Sequence, residues 1–107
     1  MQSKNTTKKY VGVFNDTFAG MTDTGKIIRD AWIFEIIPED ETCEGWAGDG
    51  IQDLWRKTSA EWEKYAFQVG QLPPEIRERF DRIQQEAIDR AKKHGWDAQI
   101  DIDNNPE

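Results

Sequence analysis

Cys43 and His94 have the chemistry of a nucleophile and its base, and Glu44 stands beside the thiol as a carboxylate able to orient the imidazole. A thiolate needs positive charge nearby, however, and Cys43 is flanked by Glu41 and Glu44, which oppose its ionisation. The pair therefore reads better as a small buried apolar side chain and a histidine at a helix C-terminus. Oxygen ligands are a second option. Asp101, Asp103 and Asn105 alternate like the beginning of a calcium loop, but Pro106 stands where that loop requires glycine. Glu39, Asp40, Glu41, Glu44 and Asp49 make another oxygen-rich set, although neighbours along a loop need not converge in space. The di-iron pattern Glu-x-x-His is absent, since Ala91 lies three residues before the one histidine.

Gly45-Trp46-Ala47-Gly48-Asp49-Gly50 precedes a helix, where free backbone N–H groups attract phosphate. No Gly-Lys-Ser/Thr ends the loop, no Lys or Arg lies close by, and Asp49 already supplies the negative charge that the dipole favours. The sequence thus assigns no catalytic residue, no metal ligand and no cofactor. A small carboxylate-based metal- or ligand-binding enzyme, with a pocket of Glu44, Asp49, Asp53 and His94, stays as an alternative.

The same loop carries the better lead. Trp46 sits among glycines and acids with no apolar neighbour at helical spacing, so it is either a staple over the core or an anchor for a partner. With 14 basic and 21 acidic residues the net charge is -7, which disfavours nucleic acid and anionic membranes and suits a basic protein surface. Residues 21–50 hold eight acids against two bases. The reading is a non-catalytic interaction or regulatory module that binds a protein partner through Glu39, Asp40, Glu41, Glu44, Trp46 and Asp49. A nucleic-acid mimic directed at a basic protein is a further alternative, weakened because the helical segments interleave Arg and Lys with their acids.

One cysteine allows no internal disulfide, and Met1 to Lys9 has no apolar signal core, so a cytoplasmic setting is expected. The longest strictly apolar run, residues 31–34, is too short to span a bilayer.

Three helical segments must position these groups. Thr22-Asp23-Thr24 offers an N-cap for a helix with Ile27, Ile28, Ala31 and Trp32 inward and Lys26, Arg29 and Asp30 on the other side. Residues 33–37 are apolar nearly all round, so they continue the helix or form a strand, and Pro38 ends them. Asp49 and Gln52 read as a capping box that opens a helix with Ile51, Trp55, Thr58, Trp62 and Tyr65 on one stripe and Gly70 as its stop. That stripe would serve a homo-oligomer as well as a core. A third helix starts at Pro73-Pro74, buries Ile76, Phe80, Ile83, Ala87 and Ala91, and stops at Gly95. Acid-first pairs Glu75/Arg79, Glu78/Arg82, Glu86/Arg90 and Asp89/Lys93 support it at about 0.2–0.5 kcal/mol each.

The expected fold is mainly α, a small three-helix domain over residues 9–103 with two long antiparallel helices and frayed residues 1–8 and 104–107. Residues 10–14 and 99–103 have strand character, and pairing them would give a short β ribbon and an α+β alternative. Trp32, Trp55, Trp62 and Trp96 are expected in the core.

Overall fold

A computed structural model describes residues 9–97 and gives a mainly α fold of three helices. Helix α1 is Asp23–Ile33, α2 is Gly48–Glu63 and α3 is Pro74–Lys93, with short 3-10 turns at Val13–Asn15, Thr17–Ala19 and Val69–Gln71. The described residues contain no strand. Residues 10–14 run instead through an irregular stretch into a 3-10 turn, and residues 99–103, proposed to pair with them, lie outside the described residues. The strand character of 10–13 is nonetheless used. Tyr10 N donates to Trp46 O at 2.9 Å, Gly45 N to Tyr10 O at 2.8 Å, and Val13 N to Thr42 O at 3.1 Å, so the segment lies antiparallel along the acidic loop. Gly12 and Gly45 at φ 96° and 84°, and Cys43 at 64°, break this pairing before it becomes a ladder.

Helix α1, the shortest, is the centre. Thr22 caps it as expected, its hydroxyl accepting from Gly25 N at 3.0 Å. Every residue from 28 to 33 is buried, including Arg29 and Asp30, which the sequence had facing outward. The reason is position: α2 and α3 pack against α1, and the N-terminal segment, whose Thr17–Ala19 turn lies against α3, reaches α1 through Gly20 and Val13, so residues 28–33 are shut from water. Arg29 Nη1 donates to Gly20 O at 2.6 Å, while its Nε finds no acceptor. The core gathers Val13, Ile28, Ala31, Trp32, Ile33, Cys43, Leu54 and Ile83. Each fully buried isoleucine is worth about 1.5–3 kcal/mol against exposure.

Residues 33–37 are neither a further helical turn nor a strand. The chain leaves α1 through a Schellman turn, with Glu35 N donating to Trp32 O and Ile36 N to Ala31 O. This places Glu35 at φ 58°, in the left-handed region that glycine usually fills. Arg79 of α3 then donates to the Ile33 carbonyl at 2.8 Å, satisfying another free group at the same helix end.

Helix α2 opens at Ala47, which gives no side-chain cap, so Asp49 lies inside the first turn and the expected capping box does not form. It ends at Glu63, well before Gly70, which belongs to the 3-10 turn Val69–Gln71. Ala66 and Phe67 make the exit in left-handed conformations, φ 55° and 56°, with Phe67 N bonded to Trp62 O. Helix α3 begins and stops where the sequence places it, with Pro74 in its first turn and Gly95 at φ 94° after it. Its expected i,i+4 pairs do not close among the described residues. Arg79 and Arg82 reach Glu35 and Glu39 in the loop between α1 and α2, and Arg90 lies over the Phe14 ring at 4.6 Å. The closest helix approaches are α1 with α2 and α1 with α3, whereas α2 and α3 meet near their shared loop through Trp62 and Phe80.

Candidate functional site

The acidic loop is held from four sides. Trp32 Nε1 donates to Glu41 O at 2.9 Å, the Glu41 carboxylate accepts from Cys43 N at 2.9 Å, and Cys43 itself is fully buried. Glu39 receives both Arg82 Nη atoms, at 2.7 and 3.0 Å, and this fork holds its carboxyl below the ordinary glutamate range. Tyr10 and Val13 supply the backbone bonds already described.

Of the six residues expected to contact a partner, Glu39 and Glu41 therefore have internal partners, and Asp40, Glu44 and Asp49 are exposed. Trp46 is half-buried, packs against the core and faces Gly50. Asp49, in the first turn of α2, complements the helix dipole.

The other tryptophans divide unequally. Trp32 is buried, and Trp62 and Trp96 are half-buried, but Trp55 is 54% exposed and is not a core residue. Leu54 and Thr58 carry the buried line of α2, and Trp55 lies about 100° around the helix from Leu54. Among the described residues no helix covers that side. Phe67, thrown outward by its left-handed backbone, is 61% exposed on the same side of the molecule, and both rings border a single groove. Two further cavities adjoin Trp55. One, of about 850 Å³, also meets Tyr10, Trp46 and Asp49. The other, of about 520 Å³, lies between α1, α2, the loop after α2 and the middle of α3 and is lined by Trp62, Phe67, Phe80 and Asp30.

Asp30 was not singled out by sequence, although an acid inside Ile27-Ile28-Arg29-Asp30-Ala31-Trp32-Ile33 is a signal in itself. Only 5% of it is exposed. Burial pushes its carboxyl up, opposed by the Trp62 Nε1 hydrogen bond at 3.2 Å and by the more distant charges of Lys26 and Arg29. Phe67 was missed because the helix was carried on to Gly70.

The nucleophile reading has no support in the geometry. Burial, then Glu41, pushes the Cys43 thiol up to about 12, and His94 is exposed at the end of α3 with Nδ1 2.9 Å from Arg90 O. Among the described residues no three His, Cys, Asp or Glu side chains converge on a point that could hold a metal ion. The pocket imagined from Glu44, Asp49, Asp53 and His94 is not assembled by the cavities around Trp55; Asp53 instead pairs with Arg56 and Lys57. Asp101, Asp103 and Asn105 lie outside the described residues. No helix among the described residues is long and apolar enough to cross a membrane. No protein-family model matches the sequence, and no curated protein or solved structure gives a significant match to it.

Proposed function

We propose that this chain is a non-catalytic interaction module that receives a basic protein partner where the acidic loop meets α2. The observation that carries the reading is Trp55, 54% exposed and sharing one cavity with Trp46 and Asp49. A large aromatic ring at the edge of a hollow that a partner would cover is the kind of group that contributes most to protein association, about 2 kcal/mol or more. Asp16 and Asp49 border this cavity, beside Lys9, as its acidic rim, and the exposed Asp40 and Glu44 lie outside its lining; this surplus of acid guides a basic surface and sets specificity more than affinity. Glu39 and Glu41 keep the loop in shape through Arg82 and the Cys43 amide. A regulatory role fits a module of this size, and a single thiol kept reduced suits the cytoplasm.

The test is quantitative capture from a lysate of the source cells, comparing wild type with Trp46→Ala, Trp55→Ala and the double variant Glu44→Gln/Asp49→Asn. A specific protein should be retained by wild type, weakened about thirtyfold by loss of a tryptophan, and made less salt-sensitive by the double variant. Equal retention by all four proteins would remove both the anchor and the acidic rim from the reading.

A further inference from the structure

The cavity of about 520 Å³ between α1, α2, the loop after α2 and the middle of α3 has four aromatic walls, Trp55, Trp62, Phe67 and Phe80, and one buried carboxylate, Asp30. Its size is that of a small-molecule site. Asp30 is 5% exposed, yet among the described residues no lysine or arginine closes an ion pair with it, and its one protein donor is the Trp62 indole N–H. Lys26 also lines the cavity but, like Arg29, acts on Asp30 from beyond ion-pair distance, and Arg29 directs its guanidinium to Gly20 O. A buried carboxylate without a counter-ion, surrounded by aromatic rings, is complementary to one kind of ligand. The ligand must carry positive charge for Asp30 and a carbon envelope for the rings, which attract cations through their π faces. A hard metal ion needs several oxygen ligands together, and among the described residues no three His, Cys, Asp or Glu side chains converge to hold one. The charged lining is two carboxylates, Asp23 and Asp30, against one ammonium, Lys26, so an anion would meet net negative charge.

We propose that this cavity binds an alkylammonium cation, its nitrogen paired with the Asp30 carboxylate and its carbon chain lying against Trp55, Trp62, Phe67 and Phe80. An ammonium head fills only part of the volume, and Ile27, Ile51 and Val69 complete a wall suited to the alkyl portion. The site shares Trp55 and Ile51 with the cavity at the acidic loop, but Asp30 borders this one alone, so the Asp30 variant tests it separately from the interface. Two sources carry this chemistry, a free amine and a lysine side chain on a peptide.

The experiment follows the tryptophan indole N–H resonances of the intact protein during titration with hexylammonium, hexyltrimethylammonium, hexan-1-ol as the neutral control, and a lysine peptide beside its acetyl-lysine form. Saturable shifts of Trp55 and Trp62 are expected with the cations and not at matching concentrations of the alcohol. Saturation by the free amines alone makes the ligand a small molecule, and saturation by the lysine peptide but not its acetylated form makes it a protein side chain; either supports the site. Asp30→Asn keeps an acceptor for Trp62 Nε1 and should weaken cation binding at least about tenfold while leaving the alcohol unchanged. Should that variant fail to fold, Trp55→Ala, on the exposed wall, should still weaken binding by about two- to thirtyfold. Hexan-1-ol binding as tightly as hexylammonium, unchanged cation affinity in the Asp30 variant, or no saturable shift with any cation would each overturn the proposal.

Discussion

Asp30 stands where six successive residues of α1 are buried, and its ionisation is opposed by that enclosure more than it is helped by Trp62, Lys26 and Arg29. The folded chain therefore releases this proton later than the unfolded chain does. Below the ordinary aspartate range both states are protonated and the residue is neutral to stability; as pH rises past that range the unfolded state ionises first and stability falls. Asp30→Asn mimics the neutral form, so it should be more stable than wild type at neutral pH, with the difference vanishing near about pH 3. Urea unfolding of both proteins across that range is the check, and a variant less stable at neutral pH would contradict it. Cys43 is the other enclosed acid. With its thiol fully buried and pushed up to about 12, it should resist a disulfide reagent at neutral pH until denaturant is added; fast reaction of the native protein would contradict the burial.

At the scale of elements, α1 depends on two backbone positions. Gly25 packs so closely against Gly20 that a Cβ there would collide with the Gly20 backbone, so Gly25→Ala should cost about 1–3 kcal/mol despite the better helix propensity of alanine. Glu35 has the opposite character. It holds the left-handed exit position, and its contact with Arg79 is long at 3.7 Å and largely exposed, so Glu35→Gly should stabilise by about 1 kcal/mol. Denaturant midpoints of the two variants should move in opposite directions. These positions also mark what could be read beforehand. The bounds of α3 were legible because proline at its first turn and glycine beyond its last are local signals. The ends of α1 and α2 were not, since Glu35, Ala66 and Phe67 take left-handed conformations that their residue types do not announce. The acid-first pairs of α3 failed for a tertiary reason: Arg82 had a better-placed carboxylate in Glu39, distant in sequence.

For the whole molecule, three amphipathic segments were enough to read a small helical domain, but not which segment would be central. Composition favours the long helices, whereas the packing surrounds the short one and buries its charges. The acidic loop was legible as a loop and its six residues as a cluster, yet their inequality was not. Glu39 and Glu41 are occupied because Arg82 and the Cys43 amide are brought to them by the fold, leaving Asp40, Glu44 and Asp49 exposed. Trp55 and Trp62 share a heptad spacing, and only the limited contact between α2 and α3 leaves one outside and the other half inside.

The backbone bonds between Tyr10 and the 45–46 stretch close residues 10–46 into a ring of which α1 is one side, and that closure orders events in time. Both flanks are docked on side chains of α1, the loop through Trp32 and the N-terminal turns through Arg29, so neither has a platform until the helix exists. Substitutions within the buried part of α1, such as Ile28→Val, should therefore slow folding, while Arg82→Ala, which frees Glu39 at the periphery, should mainly speed unfolding. Chevron plots of the two variants would show the change in opposite limbs, and the closure would then be the last part of the molecule to lock and the first to open.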